Sequence, residues 1–437
     1  MYQNLAVFAA FLLIYSIFAG RFESRLLNGP LLFMLAGLIL GPAALGLLQP
    51  DIPKEGIRFL AELTLAIVLF SDAATANLRV LRANDWLPLR LLLIGLPLTL
   101  LSGWLIAYGL FPQVPLLELA ILATILAPTD AALGKAVVSN PLVPAAVREG
   151  LNVESGLNDG VCVPVLLVLL ALVTDLEAQA PLSLAVGLIV EELGIGALTG
   201  ISLALIAWRL LRRSQQEGWQ LPRWSQLTLP GLALLCFALA QALGGSGFIA
   251  AFVGGLLTGH LLGEQKHHLL EASEELGSLF SVITWLVFGA LVIPAAWSYF
   301  SPSIWLYALL SLTLVRMLPV YLSLLGTGLN NETRLFIGWF GPRGLATIVF
   351  GVIIMDTELQ ASNTLLATAI CTVLLSVILH GLSANPWAAR LGRKMCGTSN
   401  AARLPGQEQE IQSTSPSRIG ERIHHVADET LKKTRFR

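Results

Sequence analysis

The run Glu154-Ser155-Gly156-Leu157-Asn158-Asp159 places two carboxylates, a hydroxyl and an amide inside an otherwise apolar stretch. An ionised carboxylate at the centre of a hydrocarbon layer costs about 2.5–3.5 kcal/mol on insertion scales, so it is tolerated only against a protein interior or a watery cavity. Glu154 and Asn158 are four residues apart, as are Ser155 and Asp159, so in a helix each pair shares a face. The Ser155/Asp159 face offers oxygens to something positively charged. Other ionisable residues deep in apolar runs are Asp72, Asp130, Arg316 and Arg343. Four carboxylates against two guanidinium groups leave an excess of negative charge that calls for cations or protons.

Individual residues also admit plainer roles. Glu154 reads as the structural partner of a buried arginine, with Arg343 favoured, because a guanidinium that does not deprotonate suits a permanent lock. Arg316 either snorkels or holds the bundle together. Thr129 and Ser155 either coordinate an ion or satisfy backbone at a helix break. Asp72 is either a ligand or a solvated interfacial acid. His260, His267, His268 and His380 are placed at span ends or in loops.

These residues need a scaffold that a membrane protein supplies. Apolar residues make up 55% of 437 and charged residues 13%, about half the usual share for a soluble domain, with a mean hydropathy of +0.74. The net charge of −1 argues against nucleic acid as a partner. Four scattered cysteines show neither a metal-ligand spacing nor a disulfide framework. The N-terminus lacks a cationic region before its apolar run, so that run reads as a first span.

Thirteen runs are long enough to cross as helices, near 3–20, 30–48, 57–76, 87–111, 115–138, 144–174, 182–211, 226–243, 245–263, 276–297, 303–325, 332–355 and 362–389. Loops on one side carry Arg21, Arg25, Arg79, Arg82, Lys135, Arg148, Arg209, Arg212, Arg213, Arg223, Lys266, Arg334, Arg390, Arg393 and Lys394, whereas those on the other carry only Lys54 and Arg58. The basic side reads as cytoplasmic, with the N-terminus outside and the C-terminus inside. The fold class is therefore an all-α polytopic membrane protein, with a transmembrane domain over 1–394. A polar cytoplasmic tail over 395–437 reads as partly disordered, with a short helix near 419–434.

The fifth run contains Ala127-Pro128-Thr129-Asp130 and the twelfth Gly341-Pro342-Arg343-Gly344. Each proline removes a backbone donor and frees a carbonyl four residues earlier, at Thr124 and Gly338. The breaks lie seven spans apart, so they cross in opposite directions. Paired broken helices in inverted halves point to a transport site near the midplane.

At this point Glu154-Ser155-Gly156-Leu157-Asn158-Asp159 resembles the ESxxND pattern of the monovalent cation:proton antiporters, in the NhaP-like sodium/proton exchanger branch. Pro128-Thr129-Asp130, Gly341-Pro342-Arg343-Gly344 and the thirteen spans resemble it too, over residues 1–390. The resemblance implies dimerisation helices and a six-helix core domain in which the two broken helices cross. It implies that Asp159 carries cation and proton in competition, with Thr129 (largely through its backbone), Asp130 and Ser155 helping to coordinate the ion. It implies that Asn158 orients the site, that Glu154 and Arg343 form a structural pair, and that Asp72 stands nearest to a third-span acidic ligand.

The function expected is exchange of Na⁺, or Li⁺ or K⁺, for H⁺ across a bacterial-type inner membrane, electroneutral at 1:1, by a homodimer that needs no cofactor. A K⁺/H⁺ antiporter, an ion channel or organic-anion symporter on a similar fold, and an intramembrane hydrolase using Asp130 and Asp159 are the alternatives. No nucleotide-binding loop of the G-x-x-x-x-G-K-[ST] type is present.

Overall fold

The structure, a computed structural model, describes residues 2–22, 28–49, 54–75, 87–130, 133–138, 140, 142–178, 182–263, 266–355, 357 and 359–399. It is divided into two units, Met1–Ala389 and Arg390–Arg437. Of the second, only the last turns of a helix that ends at Ser399 are described, and the expected tail helix near 419–434 lies outside the described residues.

The helices fall on the thirteen expected runs. They are α1 (Tyr2–Phe22), α2 (Gly29–Leu40), α3 (Lys54–Thr75), α4 (Leu87–Leu110), α5 (Leu116–Ile125), α6 (Ala145–Ala178), α7 (Leu182–Gln216), α8 (Thr228–Ala242), α9 (Gly247–Leu262) and α10 (Lys266–Val287). The eleventh run forms α11 (Pro302–Leu312) and α12 (Leu314–Ser323), the twelfth α13 (Asn331–Trp339) and α14 (Leu345–Met355), and the last α15 (Ser362–Ser399). Eight helices among the described residues are long and apolar enough to span a membrane, and four more are shorter and apolar.

Local chemistry explains the interruptions. A π-helical turn over Leu91–Gly95 precedes Pro97 in α4, and another over Phe288–Val292 follows α10 just before Pro294. Each widens the backbone where a proline withholds its N–H. The eleventh run breaks at Thr313, which places Arg316 in the first turn of α12. The tenth helix begins at Lys266, ten residues before the expected 276, which brings Glu271, Glu274 and Glu275 into the helix.

Small residues let the helices touch backbone to backbone, the usual means of association where lipid is the solvent. A Cβ on Gly255 or Gly259 of α9 would collide with the carbonyls of Phe70 and Ala74 in α3. Gly156 of α6 lies so close to Asp72 of α3 that a Cβ there would stand 3.2 Å from the Asp72 carbonyl. Glu118 in α5, 1% exposed, accepts from the backbone N–H groups of Gln360 and Ala361 at 3.0 and 2.9 Å, ahead of α15. These contacts hold the sixth and ninth helices against the third and tie the fifth to the segment before α15.

Candidate functional site: two crossed helix breaks and an acidic cavity

The first break follows α5. The carbonyl of Thr124, expected to be free, is taken by the Ala127 N–H at 3.3 Å. The carbonyls left over are those of Ala127 and Pro128, and both accept from Arg343 Nη1, at 2.9 and 3.2 Å. Thr129 is bound on three sides by α6. Its N–H donates to Asn158 Oδ1 at 3.3 Å, its Oγ1 accepts from Asn158 Nδ2 at 2.7 Å, and its carbonyl accepts from the Ser155 hydroxyl. Asn158 and Ser155 thus satisfy backbone that would otherwise lie bare in hydrocarbon.

The second break is completed by the first. The Asp130 N–H donates to the Pro342 carbonyl at 2.8 Å. Its carboxylate accepts the Leu345 N–H at 2.8 Å through Oδ2, and the Leu133 N–H at 3.1 Å through Oδ1. Asp130 therefore meets the N-terminus of α14, where backbone donors are unsatisfied and negative charge is favoured. Gly344 leaves the room: a Cβ there would overlap the Asp130 carboxylate. The Arg343 N–H donates to Ser376 Oγ at 2.7 Å. His380 lies within α15, 2% exposed, with ring nitrogens 2.9 Å from the carbonyls of Ser376 and Trp339. It is an interior residue, not one of a loop or span end.

The expected Glu154–Arg343 pair is not formed. Glu154 is gripped by Arg316 instead, Nη1 to Oε1 at 2.6 Å and Nη2 to Oε2 at 2.7 Å, with both side chains buried. The break at Thr313 aims Arg316 at α6, and Gly341 leaves space for its guanidinium. Arg343 is drawn away by the two carbonyls of the first break. Sequence spacing marked both arginines as deep but held no information on which would meet which acid.

Asp159 differs from its neighbours. It is 7% exposed, and Oδ1 is buried without a hydrogen-bond partner. It lines a cavity of about 910 Å³ together with Asp72, Asp130 and Glu274, and no Lys, Arg or His lines it among the described residues. The helix-end residues around it, including Asn28, Thr75, Asn140 and Asn385, all belong to the side of the bundle that carries the basic loops. Asp72, Asp130 and Asp159 are thereby brought to one space, while Thr129, Ser155 and Asn158 stand behind it as the wall of the break. Glu274 falls outside a tenth span drawn by hydropathy from 276; the recurrence of Ser273, Gly277 and Ser281 at helical spacing is the signal that extends the helix to it.

A family model for the transmembrane sodium/hydrogen exchangers matches residues 7–390. The chain belongs to this family. It is 27% identical over 364 residues to the K⁺/H⁺ antiporter NhaP2 of a Shewanella species (strain ANA-3), covering 80% of this chain and 62% of that one. It is 26% identical over 417 residues to a Na⁺/H⁺ antiporter of Schizosaccharomyces pombe, covering 87% and 88% of the two chains. The chain therefore spans somewhat less than two thirds of the length of its NhaP2 relatives. The solved structure of the sodium proton antiporter MjNhaP1 from Methanocaldococcus jannaschii superposes with a TM-score of 0.71 at 24% identity, over 91% of this chain and 98% of that one. The family fold, an all-α multi-span bundle, is thus established for this chain.

Proposed function

We propose that this chain is a secondary antiporter that exchanges a monovalent cation for a proton, with Asp159 as the group both ligands share. The observation that carries this reading is the unpartnered Asp159 Oδ1, buried at the wall of a cavity lined, among the described residues, by four carboxylates. A carboxylate committed to structure would have its oxygens paired, as those of Glu154 are. One left open at a cavity wall is available to a cation or a proton, and one ligand excludes the other.

That exclusion is sufficient for coupling. Asp159 neutralised by either ligand can pass a low-dielectric barrier; bare, it cannot. Asp130, whose oxygens meet backbone donors, supplies a fixed negative field, and Asp72 faces the same space from α3. Thr129 and Ser155 retain lone pairs that can add oxygens to the ion. No bond is made or broken in the cycle, and no cofactor takes part. The protein works as a homodimer in the inner membrane, with its basic loops and the cavity mouth facing the cytoplasm. A six-helix core carrying the two breaks moves against the remaining helices.

The names of the relatives favour two cations, Na⁺ and K⁺. The test is reconstitution into liposomes with an imposed pH gradient, followed by Na⁺, Li⁺, K⁺ and choline in turn. Dissipation by an alkali cation and not by choline is expected, and the most effective cation is the substrate. Equal response to choline would refute the reading.

A further inference from the structure

We infer that a second alkali-cation station, made by Glu274 and Ser273 on α10 facing Asp72 and Ser71 on α3, stands at the mouth of the cavity and supplies Asp159. The inference rests on the exchange reading for its purpose, though its geometry stands apart from it.

The two helices run antiparallel, and two contacts set their register. Thr64 Oγ1 of α3 lies 3.4 Å from Thr284 Oγ1 of α10. One turn further along α3, a Cβ on Gly277 would stand 3.4 Å from the Val68 side chain. One more turn brings Ser71 and Asp72 level with Ser273 and Glu274. All four residues line the cavity.

Two carboxylates at one level would not by themselves make a site. The second observation is that Ser71 Oγ and Ser273 Oγ, in residues 4% and 0% exposed, are buried without a hydrogen-bond partner. Buried hydroxyls are normally paired, and leaving two unpaired on one cavity wall is costly unless a ligand completes them. Two carboxylates and two hydroxyls are hard oxygen donors, suited to a Na⁺ or K⁺ ion that keeps part of its water. The set belongs to helices other than the one carrying Asp159, and it lies nearer the helix ends: Asp72 is three residues from the end of α3 and Glu274 eight from the start of α10, whereas Asp159 is fourteen residues into α6. A cleft lined by one sign of charge also raises the local concentration of its counter-ion.

The experiment has a transport arm and a binding arm, both on the purified full chain. In proteoliposomes, Glu274→Gln is expected to raise the half-saturating cation concentration about three- to tenfold with the maximal rate unchanged. Ser273→Ala is expected to raise it without altering charge. Glu275→Gln, which neutralises an exposed neighbour that does not line the cavity, is expected to leave it as in the parent. If the Glu274→Gln effect vanishes in about 0.5 M choline chloride, where exposed charges are screened, the residue only contributes to a diffuse field and the station is refuted. In the binding arm, radiolabelled cation should saturate at two per chain in the parent and one in Glu274→Gln. One per chain in both proteins would overturn the inference. Two sites in a parent that exchanges nothing would uphold the station and refute the exchange reading alone.

Discussion

Glu154 and Arg316 meet as a two-point pair, with side chains 2% and 1% exposed and both carboxylate oxygens engaged at 2.6 and 2.7 Å. The pair joins α6 to the first turn of α12, so it ties the Asp159 helix to the break at Thr313. Removing one partner strands a buried charge, a loss of typically about 3–5 kcal/mol. Glu154→Gln and Arg316→Gln are each expected to lower the unfolding midpoint in detergent, and the double replacement to recover part of it. The coupling energy from such a cycle should be large for 154 with 316 and small for 154 with 343. The reverse order would mean that Glu154 answers to Arg343.

Asp159→Asn should abolish cation-dependent proton flux in proteoliposomes while the purified protein remains folded. The substitution preserves shape and removes both the charge that attracts the cation and the group that holds the proton. Substantial exchange by the variant would exclude Asp159 as the carrier.

Gly344→Ala should destabilise the protein more than an ordinary helix substitution, because its Cβ would overlap the Asp130 carboxylate at the start of α14. Expression and thermal midpoint are the measurements. Asp130→Gly in the Gly344→Ala background removes all three clashing atoms, the Cβ included, so it should restore part of the midpoint while leaving exchange impaired.

The rate of exchange should follow a bell-shaped pH profile. At low pH protons occupy Asp159 and exclude the cation; at high pH the return step lacks protons. More cation displaces protons at equal pH, so the acidic limb should move to lower pH as cation concentration rises. A limb that stays fixed over a hundredfold range of cation would place the sensor elsewhere.

Exchange should be electroneutral. Glu154 is committed to Arg316, Asn158 is neutral and holds Thr129, and Asp130 meets backbone donors at a helix start. Asp72 and Glu274 belong to the station between α3 and α10, so of the four cavity carboxylates among the described residues Asp159 is the one that trades a proton for a cation in the cycle. With the potential clamped by K⁺ and valinomycin, once K⁺ is excluded as substrate, the ion ratio at which flux stops should not move with voltage. A null point that shifts would mean more than one proton per cation.

Much of this arrangement was legible from residues. The thirteen runs, the two proline breaks and the six-residue polar segment follow from hydropathy, from the missing proline donor and from helical spacing. Pairing across helices was not. Arg316 and Arg343 both read as deep in their spans, and the choice between them turns on Thr313, whose break carries no proline to mark it. Glu274 was hidden for a related reason: the first turns of α10 are polar enough to read as loop, yet they continue into the helix that meets α3 at Gly277 and Val68. The role of Asp130 as an acceptor for the α14 N-terminus also needs the crossing itself, because its partner Leu345 lies 215 residues away.

The same separation has a consequence for biosynthesis. The carbonyls of Ala127 and Pro128 obtain their donor from Arg343, 216 and 215 residues later in the chain. At translation rates of about 5–20 residues per second, the first break waits on the order of 10–40 s for the residue that closes it. Ser155 and Asn158 arrive far sooner, 26 and 29 residues on, and tie down Thr129 alone. Until the twelfth run is inserted, the nascent fifth span must keep two bare carbonyls in contact with water or with the insertion machinery. A ribosome stalled before Arg343 should therefore leave that segment open to water-borne labelling, and one stalled after α14 has emerged should not.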